Sequence, residues 1–490
     1  MKKFGNVYLI AAISIIGGGL FGFDISSMSA IIATDPYLCY FNQGPKPCVG
    51  PTANVQGGIT ASMAGGSWLA SLFSGFLSDA LGRKRTIMIG AVIWVIGCII
   101  VAAAQNIPML IVGRIINGFC VGICSAQVPV YITEIAPPTK RGRLVGAQQW
   151  AITWGIMIMF YISYGCSFMK GTAAFRVPWA LQMIPAIILF FGMIVLPESP
   201  RWLATKDKWE ECEQVLILTH GHGDPNSPWW LEIERQSKQI SYLELFSPKY
   251  INRTHIGLFT QIWSQLTGNA LLVSSSIQYV INVVMTVPAL IFIDRVGRRP
   301  LLLLGSTLMA TWLFANAGIL AVYGTDPGPN GVDNIKEASV KVSGAASKAV
   351  IACSYLFVAS YAPTWGPVSW AVALATSVNW AFNFALGYFV PPAFINIKWQ
   401  TYILFAVSCV AMTIHVFFIF PETAGKPLEE VTEMFEDPNG IPYLGTPAWK
   451  TKSNFQKAVA LERGEGLSEK KLDDEHSPER HEVVETKLDV

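Results

Sequence analysis

Two opposite charges stand alone inside long apolar stretches. Arg114 lies near the middle of Ile107–Ala126 (IPMLIVGRIINGFCVGICSA), and Asp24 is the lone charge of Ile10–Ile32, within GGGLFGFDISSM. A guanidinium at the centre of a membrane helix costs about 2.5–3.5 kcal/mol on insertion scales, so it should face the protein interior and have a partner there. Asp24 is the expected partner. A carboxylate–guanidinium site between helices is a candidate for handling a proton or a solute. The other reading is a structural ion pair that only fixes helix packing. Gln148 and Gln149 fall in another apolar run, where an unpaired amide is costly. No nucleophile stands beside a base, the six histidines are scattered, and no Cys/His spacing resembles a metal site. His415, in the last apolar run, reads as a packing or interfacial group. These residues point to transport chemistry, with no enzyme, cofactor or metal implied.

The elements that carry these groups are membrane helices. Of the 490 residues, 52% are hydrophobic and only 14% charged, where a soluble protein carries about a quarter charged. The apolar runs lie at 7–33, 57–77, 86–105, 107–131, 145–165 and 178–197, then at 255–293, 301–323, 349–397 and 401–421. Each of the first six fits one helix of about 20 residues. Basic residues set the orientation. Lys2 and Lys3, Arg83–Arg85, Lys140 to Arg143 and the block 198–254 alternate as a cytoplasmic side requires, which places both termini in the cytoplasm. Nothing resembles a cleaved signal peptide. A net charge of +2 is too small to argue for nucleic acid.

The second half repeats the signals of the first. Leu77–Arg85 (LSDALGRKR) follows the second run, and Ile293–Pro300 (IDRVGRRP) follows the corresponding later one. Pro197–Trp202 (PESPRW) closes the first half and Pro421–Glu430 (PETAGKPLEE) the second. Such a repeat is the signature of a transporter built from two six-helix bundles with the substrate between them. The expected divisions are a first bundle over 1–197, a linker with short amphipathic helices over 198–254, a second bundle over 255–421, and a largely disordered tail over 422–490. Cys39 and Cys48 share an outward loop and can form a disulfide there. The cysteines inside apolar runs read as packing residues.

Taken together, FGFD, SDALGRKR, GRIINGF, PVYITEIAPPTKRGR, GAQQWAITWG, PESPRW, FIDRVGRRP, TWGPVSW, NWAFNFALG and PETAGK resemble the sugar porter family of the major facilitator superfamily. The likeness is greatest to fungal high-affinity hexose and proton–hexose transporters and runs to about residue 430. It implies an all-α polytopic membrane protein with twelve membrane helices, working as a monomer in the plasma membrane on a monosaccharide and protons. It implies that Phe21, Gln148, Gln149, Gln265, Trp370, Asn379, Trp380 and Asn383 line the sugar cavity, with Gln149 as the sugar-contacting glutamine. By the same resemblance Asp24 is the protonation site and Arg114 tunes it, although fungal facilitators carry an Asp in this neighbourhood too. A cytoplasmic charge latch is implied from Asp79, Arg83, Lys84, Glu134, Arg141, Arg143, Glu198 and Arg201, with Asp294, Arg295, Arg298, Arg299 and Glu422 as the second-half counterparts. Such a network can break and reform as a bistable element. Simple positive-inside anchoring is the alternative.

Two places depart from the family. Only about 40 residues separate Arg253 from Asp294, which leaves nothing for a turn between two full crossings. The family's seventh-helix Asn and tyrosines are absent there, a loss of roughly one helix. Between Trp370 and Ala371 the family's basic cytoplasmic loop is missing, so two helices meet without a positive residue. Compact losses between well-matched flanks read as an internally shortened form with an intact first bundle. The leading expectation is a proton-coupled hexose transporter, glucose foremost. A transport-inactive form or sugar sensor is the second, and a porter for another polyol, pentose or quinate-like acid the third. An acid substrate fits poorly, since no extra Arg or Lys lies in the binding runs to meet a carboxylate.

Overall fold

A computed structural model of the chain describes residues 5–32, 34–42, 48, 53–220, 247, 251–266, 276–326, 340–368 and 373–420. Among the described residues the ordered structure is helical, apart from one isolated bridge between Thr325 and Lys341. Among the described residues seven spans are long and apolar enough to cross a membrane. The first comprises α1 (Val7–Ser14) and α2 (Ile16–Ile31), followed by the short outer helix α3 (Asp35–Tyr40). Then come α4 (Ala53–Leu81), α5 (Arg83–Ala102), α6 (Ile107–Ile135), α7 (Pro138–Ser167), and the pair α8 (Ala173–Leu181) and α9 (Met183–Val195). Two short helices, α10 (Pro200–Thr205) and α11 (Trp209–His220), follow where the sequence placed amphipathic segments. The later helices are α12 (Ile251–Leu266), α13 (Ser276–Val296), α14 (Arg298–Tyr323), α15 (Gly344–Val368), α16 (Ala373–Asn396) and α17 (Gln400–Ile419).

Small residues let the first-half helices approach closely. A Cβ on Gly118 or Gly122 of α6 would run into the α4 backbone at Met63 or Ser67. Without a hydrophobic drive between helices in lipid, such backbone proximity is a main source of association. One buried cluster joins Leu20, Trp94, Val128, Tyr131 and Leu189 of this half. A second joins Leu302, Phe357, Trp365, Phe405 and Met412 of the later helices. Large apolar side chains such as Phe73, Phe76 and Phe191 point outward, as a lipid-facing surface requires.

Helices α4 and α16, and α7 and α13, pack together across the halves, and α7 also meets α15 and α6 meets α16. At the first seam small residues meet, and a Cβ added at Gly387 would stand 3.3 Å from the Ala61 Cβ. The repeated turn is repeated in conformation too. Gly82, before α5, has φ 99° and ψ 160°, and Gly297, before α14, has φ 94° and ψ 161°. That region of backbone space is essentially reserved for glycine, which explains the Gly-Arg signature at both places.

The shortening expected between Arg253 and Asp294 is accommodated with both helices retained. Helices α12 and α13 both lie in that stretch, and residues 267–275 between them lie outside the described residues. The long run 349–397 divides into α15 and α16, and residues 369–372 between them lie outside the described residues. The first run, read as one helix, is interrupted at Ile15, just before the Gly17–Gly19 stretch that presses α2 onto α7. Cys39 and Cys48 are disulfide-bonded. The tail 422–490, together with residues 221–246 and 248–250 of the linker, lies outside the described residues.

Candidate functional site

Asp24 and Arg114 meet inside the first half. Arg114 Nη2 lies 3.1 Å from Asp24 Oδ2, and both side chains are 3% exposed. The approach is off the guanidinium's N–H directions, so Oδ2 gains charge proximity without a formed hydrogen bond. Arg114 Nε donates to the Ile59 carbonyl of α4 at 2.9 Å, which ties the pair to a third helix. Asn117, one turn beyond Arg114 on α6 and 1% exposed, lies on the same buried stretch of that helix, with its Oδ1 3.9 Å from the Cys98 thiol of α5. Sequence reasoning passed over Asn117. It is a neutral residue within GRIINGF, and only its i+3 spacing from Arg114 marks it as sharing that helix face.

A second polar group lies on the later helices. Gln265 Nε2 of α12 donates to Asn379 Oδ1 of α16 at 2.7 Å, and Asn383 Nδ2 donates to Gln265 Oε1 at 3.3 Å. Trp380, fully buried, crosses to the first half. Its indole N–H donates to Ser125 Oγ of α6 at 3.0 Å, and its ring meets Phe21 edge-on at 4.7 Å between centroids. Gln149 of α7 faces Gly366 of α15, where an added Cβ would sit 3.3 Å from its Cγ. Gln148 packs against Gly18 of α2 instead, fully buried, with both amide atoms lacking a protein partner. The adjacent glutamines therefore point to different neighbours. Phe21, Gln149 and Trp380 lie at contacts between the halves, while Gln265, Asn379 and Asn383 form one amide chain. Trp370 lies outside the described residues.

The charges expected to form a latch gather around the Gly82 turn. Arg83 bonds Glu134 at 3.0 Å and Asp79 at 2.9 Å. Glu134 also accepts from Ser199 Oγ at 2.5 Å, and Ser199 caps α10. Glu198 Oε1 accepts the backbone N–H groups of Lys84 and Ser199, each at 3.0 Å. Lys84 Nζ donates to the carbonyls of Ile194 and Leu196, at 2.7 and 2.8 Å. Burial pushes the Glu198 carboxyl above its ordinary value of 4.5, against the opposing pull of those N–H groups and Arg83. Arg143 is exposed and Arg201 half-buried beside this group. Among the described residues these ion pairs stay within the first half. At the second turn, Arg299 Nη2 donates to the Phe417 carbonyl at 2.6 Å and stacks over the Phe417 ring, and Arg298 is half-buried. Glu422 and the side chains of Arg141, Asp294 and Arg295 lie outside the described residues.

Comparisons with known proteins agree with this architecture. The model of the sugar (and other) transporter family matches residues 10–435. The high-affinity glucose transporter of Kluyveromyces lactis is 44% identical, over 98% of this chain and 94% of its own length. That alignment spans 534 positions against a chain of 490, so dozens of its positions have no counterpart here, in keeping with internal shortening. High-affinity glucose transporter 1 of Candida albicans is 43% identical over 98% of this chain and 93% of its own length. Among solved structures, the major facilitator proton:xylose symporter XylE, bound to 6-bromo-6-deoxy-D-glucose, superposes with a TM-score of 0.73. It is 23% identical, over 88% of this chain and 99% of XylE, so it bears on the fold alone. The paired halves, the repeated glycine turns and the family match lead to one conclusion: the chain belongs to the sugar (and other) transporter family, in the major facilitator superfamily.

Proposed function

We propose that this protein carries a hexose, glucose foremost, across the plasma membrane by alternating access, coupled to protons through Asp24 and Arg114. The observation that carries the sugar assignment is the amide chain Gln265–Asn379–Asn383, beside the Phe21–Trp380 aromatic contact at the seam of the halves. Amides both donate and accept, as sugar hydroxyls require, and an aromatic face takes the sugar's apolar C–H surface. The names of the fungal relatives support glucose as the hexose. Coupling is supported by the membrane-buried ion pair.

The bistable element is the seam itself, where small residues of α4 and α16 allow the halves to rock. A second reading, a transport-inactive or sensing form, draws on the internal shortening of the chain against its glucose-transporter relative. Glucose binding to the purified protein, followed by tryptophan fluorescence, tests the site. Asn379→Ala and Gln265→Ala are each expected to weaken binding at least tenfold, because each strands a buried amide partner. Unchanged affinity in both variants would remove the sugar site from this place.

A further inference from the structure

Helices α12 and α17 meet around one histidine. His255, Phe259 and Trp263 stand at i, i+4 and i+8 on α12, along one face of that helix. All three rings lie edge-on to His415 of α17, with centroids 5.2, 4.9 and 5.9 Å away. Phe420 adds a fourth ring at 5.5 Å. Trp263 Nε1 donates to His415 Nδ1 at 2.7 Å. An indole N–H can only donate, so that nitrogen carries no proton and the imidazole is neutral, with its hydrogen on Nε2. Two residues on from Trp263, about 200° round the helix, Gln265 bonds Asn379 and Asn383 of α16. Trp263 therefore ties α12 to α17 on one side, and Gln265 ties it to α16 on another. We propose that neutral His415 is a positioning residue for the sugar site: by accepting from Trp263 it sets how α12 presents Gln265, and a proton on Nδ1 releases that hold.

This role rests on the sugar reading above. A proton on Nδ1 turns the acceptor into a second donor, facing the indole N–H. The groups around the ring that can carry charge are few. From α12 there is His255, in contact with it. From α14, Arg299 is held at the Phe417 carbonyl and ring, with Arg298 before it. From α15, Tyr361 lies within hydrogen-bond reach of Ser264, next to Trp263. On α16 Tyr388 packs on Phe384, and on α17 itself Tyr402 and Cys409 lie more than a turn back. The side chain of Arg253 and Glu422 lie outside the described residues. None of α12, α14, α15, α16 and α17 contains an Asp or Glu. Acid at His415 therefore weakens sugar binding, the opposite sign to acid driving uptake through Asp24.

Glucose affinity of the purified full chain, followed from pH 7.5 to pH 4, tests the role. His415→Asn sets an amide oxygen close to the place of Nδ1 and carries no charge. It is expected to bind as the wild type does at pH 7.5, and at least about threefold more tightly than the wild type at pH 4. Asp24 titrates alike in both proteins, so their ratio isolates residue 415. His415→Phe keeps a ring and loses the acceptor, and is expected to bind about threefold to tenfold more weakly at pH 7.5, the worth of one hydrogen bond. Should neither variant fold, Trp263→Phe removes the donor instead and is expected to show the same weakening at pH 7.5. Wild type and His415→Asn sharing one pH profile, or a folded Trp263→Phe with wild-type affinity throughout, overturns the role of His415 and leaves the sugar site intact. A wild-type chain that binds no glucose at any pH overturns the sugar reading, and this proposal with it.

Discussion

Glu198 is a single carboxylate on which the Gly82 turn closes. It gathers two backbone N–H groups, and its second oxygen fills the space where a Cβ on Gly82 would stand. Its raised proton affinity has a stability consequence. The folded protein binds this proton more tightly than the unfolded chain, so the stabilising contribution is full below the ordinary value of 4.5 and is lost as pH rises through the folded-state value. Glu198→Gln keeps the accepting oxygen and removes the titration. The difference in melting temperature, variant minus wild type in detergent, is therefore expected to grow as pH rises from 4.5 and then level off. A pH-independent difference would contradict it. At this scale the sequence was legible where a residue was chemically out of place. Asp24 and Arg114 were paired from their isolation alone. The different surroundings of Gln148 and Gln149 were not legible, because one step of 100° on a helix decides the neighbour and a run of apolar residues does not announce its inner face. Asn117 was missed because a neutral amide carries no charge signal and its α5 contacts, Gly97 and Cys98, lie on another helix.

Between elements, the seams matter most. Helices α4 and α16 touch through Ala61 and Gly387, close enough that paired cysteines would fall near disulfide distance. Ala61→Cys with Gly387→Cys is expected to crosslink under mild oxidation and to lower uptake at least tenfold, with recovery on reduction, because alternating access requires these helices to separate. Crosslinking on a denaturing gel with uptake unchanged would show that this seam does not move. Most helices could be read from apolar length, and the turns at Gly82 and Gly297 from the repeated Gly-Arg signal. The fate of the region around α12 could not. Residue counting finds too little chain for two full crossings, whereas two helices, Ile251–Leu266 and Ser276–Val296, occupy that stretch.

At the scale of the whole molecule, the first half is complete in its helices and holds the ion pair, and the second holds the amide chain. Side chains at the seam, Trp380 on Ser125 and Phe21 and Gln149 on Gly366, link the two halves. On the transport reading, the two halves must move as units. Uptake of labelled glucose at pH 5 and pH 7.5 tests this most directly, in a yeast lacking hexose transporters, with surface protein measured in the same cells. Uptake is expected to be several-fold higher at pH 5, and Asp24→Asn is expected to abolish that difference. A chain that reaches the surface and carries no glucose at either pH would contradict transport and favour the sensing or inactive form.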